Sequence, residues 1–127
     1  MRGAAQTLDF AQPVALLLIA LLHLLPDADD PAGIVARLLA PLAPGSYLAL
    51  QHLGLDANEP KALAVSAAAG RDGVTLLPRR RTEILRFFDG LELVEPGLVQ
   101  DALWRPDGEV PAEFRRSWGF AGVARKS

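Results

Sequence analysis

The sequence contains no cysteine. That removes a disulfide framework, a thiolate metal site and a cysteine nucleophile, and it suits a reducing cytoplasm. Lysine is nearly absent, with only Lys61 and Lys126. Positive charge therefore rests on arginines, which are dispersed apart from Arg79-Arg80-Arg81, and the net charge is −2. No broad positive field is available to grip nucleic acid. The most apolar run, Val14 to Leu25, is about a dozen residues and falls short of the roughly 20 that a membrane-spanning helix needs. Asp9 spoils a positive signal-peptide n-region, and Pro26-Asp27-Ala28-Asp29 is no small-residue cleavage site. A G-x-G-x-x-G loop is missing as well: Gly70 to Gly73 and Gly119 to Gly122 are only G-x-x-G, and neither joins a strand to an opening helix. With no Ser-His-Asp arrangement, P-loop or H-E-x-x-H, hydrolase and kinase chemistry have no residues to stand on.

What is present is the pattern of one α/β unit. Half of the 127 residues are apolar, enough for a single core. Val14 to Ala20 shows neither alternation nor a polar helical face, as expected of a strand covered on both sides. Asp29 or Asp30 then offers an N-cap and Pro31 a first-turn residue, and Ile34, Val35, Leu38, Leu39 and Leu42 follow at helical spacing. Pro44-Gly45 stops that helix, and residues 46–51 read as a second strand, reached by a right-handed crossover. An alanine-rich helix is expected from Lys61 to Ala69, ending at Gly70, and another capped by Thr82 and terminated at Gly90. Leu91 to Val94 reads as a third strand, residues 100–116 as loop, and Trp118 to Ala124 as a final strand.

These elements, with Leu22-His23-Leu24-Leu25-Pro26-Asp27 between the first strand and the helix, resemble the passage from the fourth to the fifth strand of class I S-adenosylmethionine-dependent methyltransferases. The likeness extends through Leu8-Asp9-Phe10, Ile34-Val35-Ala36-Arg37-Leu38, Trp104-Arg105-Pro106-Asp107 and the block from Arg86 to Val99. Phe88-Asp89-Gly90 is its most specific part, and together these look like one bacterial family of such enzymes. The resemblance implies the distal half of a doubly wound, mostly parallel Rossmann-like sheet with flanking helices, residues 1–127 forming a single partial domain. It also implies S-adenosylmethionine as cofactor and methyl transfer to an acceptor that these residues do not name. In that family the first three strands carry the glycine-rich cofactor loop, and no such segment is found here. The chain alone is therefore expected not to bind the cofactor, and to work with a complementing N-terminal half or as a homodimer. The rival readings are a non-catalytic α/β interaction module that has lost cofactor binding, and a fragment of a nicotinamide-binding fold.

Ligands of open parallel sheets collect at the carboxyl ends of the strands. His23 and His52 end the first two strands, so both imidazoles are expected on one rim, partly solvated. On the functional reading Leu22 and His23 wall the cofactor pocket and His52 is the candidate general base, because imidazole titrates near neutrality. The bland alternative makes each histidine a strand-end residue bonded to backbone. Gln51 is a candidate for bonding the acceptor and Trp104 for stacking on it, against an ordinary strand end and a core edge. Asp27 and Asp56 near the histidines raise a metal site, but no ligand pair has zincin spacing and no metal is expected. Three adjacent arginines at 79–81 are expected as a solvated face, with anion binding as the alternative.

Overall fold

The computed structural model describes residues 11–56, 59–106, 108 and 119–127. Strand β1 is Ala15–Ile19 and helix α1 is Pro31–Leu39. Asp30 takes the left-handed conformation (φ 52°), which a short polar side chain tolerates, and its Oδ1 accepts from Gly33 N at 3.2 Å. This cap lets α1 start at Pro31, whose missing N–H costs nothing in a first turn. One stripe of α1, through Val35 and Leu39, is buried. Strand β2, Tyr47–Leu53, alternates strictly, with Leu48, Leu50 and His52 inward. Helix α2, Glu59–Arg71, buries only Ala62.

Helix α2 does not end at Gly70. The terminator is Gly73 (φ 80°), where Val74 N bonds Ala69 O and Gly73 N bonds Gly70 O, the paired bonds that close a helix on a left-handed glycine. Helix α3, Arg81–Leu85, begins one residue before Thr82. Its first donors are taken by Glu83, which accepts from Arg80 N, and by Asp56, which accepts from Arg81 N. A 3-10 turn, Arg86–Phe88, continues it, and Gly90 (φ 80°) turns the chain as read.

The remaining strands are shorter than the apolar pattern suggests. β3 is Glu92–Leu93 and β4 is Val99–Gln100, the latter inside a stretch read partly as loop. β5 is Gly119–Arg125; its expected start at Trp118 lies outside the described residues. The sheet runs β1-β2-β5-β3, with β4 on β5. β1 and β2 are parallel, and β5 is antiparallel to β2, β3 and β4. The α/β class and the helix crossover between parallel neighbours agree with the sequence reading.

Among the described residues, one sheet face near β1 carries the core. The register sets Leu16 beside Leu48 and Leu18 beside Leu50, and this face packs with Leu22, Val35, Leu39, Ile84, Phe87, Phe88 and Leu98. Gly122 of β5 sits under Phe88 and Leu98: a Cβ there would lie 3.1 Å from Phe88 and 3.3 Å from Leu98. The opposite face is different. Leu17 is 65% and Ile19 58% exposed, and Tyr47 beside them is also exposed. Among the described residues β1 is the sheet edge.

Candidate functional site

The carboxyl ends of β1 and β2 bring His23 and His52 together. His23 lies in a 3-10 turn, Leu22–Leu24, that follows β1, and His52 is the penultimate residue of β2. Their rings meet edge-on at 5.6 Å. The expected rim exists, but His52 is not solvated; it is fully buried. Alternation puts it there, because residues 48, 50 and 52 share one face of a strand. That same period was the available signal for its burial.

Both ring nitrogens of His52 are engaged. Nδ1 lies 2.7 Å from Leu53 O, a group that only accepts, so Nδ1 carries the proton. Nε2 then accepts from Arg79 Nη1 at 2.8 Å. Burial, and secondarily Arg79 and His23, hold the imidazole down at about 4, against a raising contribution from the Leu53 hydrogen bond. A neutral ring with both nitrogens bonded has no lone pair for a substrate proton. Both nitrogens of His52 are thus engaged within the chain, where the general-base expectation needs one of them free. His23 Nδ1 accepts from Leu53 N at 3.3 Å, which leaves Nε2 to carry the proton of its neutral ring. Its pKa is also lowered, by burial first and Arg79 second.

Arg79 was missed at the sequence level as a member of a solvated arginine run. Its backbone is bridged parallel to Gly54, donating to Leu53 O and accepting from Leu55 N, and its side chain turns inward. The five guanidinium N–H groups all find acceptors. Nη1 donates to Leu22 O and His52 Nε2, and Nη2 to Leu25 O and Asp27 Oδ1. Nε bonds the same Asp27 oxygen at 3.3 Å. The Phe87 ring lies 5.6 Å below the guanidinium and stacks on His52 at 5.9 Å. Arg80 pairs with Glu59 in solvent, and Arg81 Nε donates to Leu98 O. One run of like charge thus performs three separate tasks.

The other candidates fall elsewhere. The Leu22 side chain is in the core, so only its backbone faces the cluster. Gln51 is occupied: its Nε2 donates to Asp101 Oδ2 at 3.1 Å, tying β2 to the 3-10 turn Asp101–Leu103 after β4. This bond passes over Gly119, where a Cβ would lie 2.5 Å from Asp101 Oδ2 and 2.7 Å from Gln51 Nε2. Trp104 follows the 3-10 turn Asp101–Leu103; its indole N–H is buried without a partner, as is Gln100 Oε1, and Arg105 stacks 5.1 Å from the indole ring. Asp27 and Asp56 serve Arg79 and Arg81, and among the described residues no group of three or more His, Asp or Glu could hold a metal. No helix among them is long and apolar enough to cross a membrane.

Beside the arginine cluster is a cavity of about 190 Å³, lined by Asp27, Asp30, Glu83, Arg86 and Phe87 among others. Small-molecule sites run from roughly 300 to 1,000 Å³. This cavity by itself would therefore enclose part of a nucleoside-sized ligand at most.

The chain matches the S-adenosyl methyltransferase family over residues 1–127. A DUF574 family protein from Streptomyces avermitilis is 38% identical, with a TM-score of 0.91 covering 97% of this chain and 48% of its own. A protein from Thermobifida fusca assigned as a methyltransferase is 35% identical, with a TM-score of 0.85 covering 98% and 47%. The chain thus spans about half the length of these two relatives. A SAM-dependent methyltransferase from Methanosarcina mazei shares the fold at 15% identity, with a TM-score of 0.60 covering 93% of this chain and 60% of its own. No curated protein matches the chain.

Proposed function

Because the chain belongs to the S-adenosyl methyltransferase family, we propose that it supplies the distal half of a domain that moves the methyl group of S-adenosylmethionine to a small-molecule acceptor, in the cytoplasm. The observation that carries this reading is the rim where two parallel, crossover-linked strands end together, with His23 and the Leu22 backbone facing it. Displacement at a sulfonium carbon requires chiefly that acceptor and methyl group be aligned. A rim of bonded, neutral histidines suits that demand, and His52 orients where it does not abstract a proton. The cofactor would bring the activated methyl group; this chain would contribute one wall. His23 stands on the cofactor side. On the acceptor side stand Gln51, through its bond to Asp101, and Trp104, whose buried N–H has no partner.

The partner in this reading is a polypeptide equivalent to the half of the relatives' length that has no counterpart here, pairing along β1 and covering Leu17 and Ile19. The open face of β1 supports it, since parallel strands are ordinarily covered on both sides. The test is a chimaera in which this chain replaces the matching half of the Streptomyces avermitilis relative. Calorimetric titration with S-adenosylhomocysteine should give a dissociation constant of about 10 μM or tighter, near 7 kcal/mol, whereas the chain alone gives no heat. A folded chimaera without binding would favour the non-catalytic module.

A further inference from the structure

A guanidinium that spends all five donors on one short segment and one histidine is doing more than closing a surface. Three of its five bonds end on Leu22 O and the single Oδ1 of Asp27, and a fourth ends on Leu25 O. They span the six residues that lead from β1 to the turn before α1. The fifth reaches His52 Nε2 on the neighbouring strand. The charge balance is lopsided. Arg79 is 6% and Asp27 84% exposed in their side chains, so the carboxylate adds little stability as a surface pair, while the carbonyls and the imidazole hold the buried end. The Arg79 backbone is itself pinned to the end of β2 by bonds to Leu53 and Leu55.

We propose that Arg79 is a positioning residue that locks the segment from Leu22 to Asp27 and the His52 ring into one conformation, so that the rim is formed before any ligand arrives. This deepens the methyltransferase reading, because the same segment carries His23 and the Leu22 backbone to the cofactor side. A planar fork is required: lysine keeps the charge but offers three donors around one point and cannot reach these acceptors together. The locked ring is the Nδ1–H form of His52, since a carbonyl occupies one side and a donor the other.

The test uses the chain itself, with no cofactor, so a failure here is read separately from a failure of methyl transfer. Amide hydrogen exchange and histidine ring ¹⁵N spectra are compared for the parent, Arg79→Lys and Asp27→Asn. The parent should show a single Nδ1–H tautomer at His52. In Arg79→Lys, exchange at residues 22–27 should quicken on the order of tenfold or more beyond any change at Leu48 and Leu50, and the His52 tautomers should mix; this is local opening rather than global unfolding. Asp27→Asn, which retains an oxygen acceptor, should keep the tautomer. Equal acceleration everywhere, an unchanged segment, or a parent His52 in mixed tautomers would overturn the proposal. If Arg79→Lys does not fold, the parent spectrum and Asp27→Asn decide: a mixed tautomer in either sinks it.

Discussion

Nε2 of His52 accepts a hydrogen bond from Nη1 of Arg79 at 2.8 Å in a site closed to solvent. Protonating that nitrogen would remove the acceptor and set an imidazolium against a guanidinium. The folded ring is held at about 4 and an unfolded one titrates near 6.5. Between those values the unfolded chain binds the extra proton, so stability falls as the pH is lowered through this window and levels off below it. The slope should approach about 1 kcal/mol per pH unit at its steepest. Urea titrations from pH 7 to pH 4 measure it, and replacing His52 with glutamine should reduce the dependence to the smaller share of His23, whose pKa is also lowered. Flat stability in the parent would mean that the ring reaches solvent.

His52→Ala should be costly to folding, although a strand-end histidine would be expected to tolerate the change. Truncation leaves a cavity beneath Phe87 and strands one Arg79 donor, each a known source of large destabilisation. The sum is about 2–4 kcal/mol by those rules, read as a shift in denaturation midpoint at unchanged slope. His23→Ala should cost well under half of that, because its ring is only partly buried. If the two variants lose equal stability, the assignment of His52 as the buried member fails.

The outcome for these two histidines shows what a linear sequence carries. Their meeting at one rim was legible, because strand, helix and strand each had a local cause: an unbroken apolar run, Asp30 and Pro31 at a helix start, Pro44-Gly45 at its end. The burial of His52 went against the expected partial solvation of a strand end, although the phase it shares with Leu48 and Leu50 carried the signal. Arg79 had no such signal. Nothing local separates it from Arg80 and Arg81, and only the bridge to Gly54 turns its side chain inward. Gly70 and Thr82 misled for the opposite reason. Each has the right chemistry for a helix end, but Gly73 and the pair Asp56 and Glu83 satisfied the orphan groups instead.

Gly122→Ala should destabilise the chain through crowding. The new methyl would sit 3.1 Å from the Phe88 ring and 3.3 Å from Leu98, two side chains that are themselves buried in the core. Overpacking of this kind costs roughly 1–3 kcal/mol. Thermal unfolding of the variant measures the loss, and adding Leu98→Val should recover part of it. A variant as stable as the parent would show that the β5 face is looser than the contacts indicate.

β1 is the edge of the sheet among the described residues. Leu17 and Ile19 project from the face opposite the core, and with Leu21 and Tyr47 they leave apolar side chains open beside an edge that no described strand occupies. Between Val14 and Leu25 there is no proline and no charge to discourage pairing, and such an edge recruits another strand. The chain in isolation should therefore self-associate, most simply through its own copy about a two-fold axis. Light scattering on fresh protein should report a dimer or larger species that persists on dilution. The double change Leu17→Lys, Ile19→Lys separates the causes. Both side chains are exposed, so stability should move by about 0.5 kcal/mol or less, while the charges should drive the protein to a monomer. A parent that is already monomeric and stays so would remove the docking role assigned to this strand. A lysine variant that unfolds would place Leu17 and Ile19 inside a core that the structure does not show.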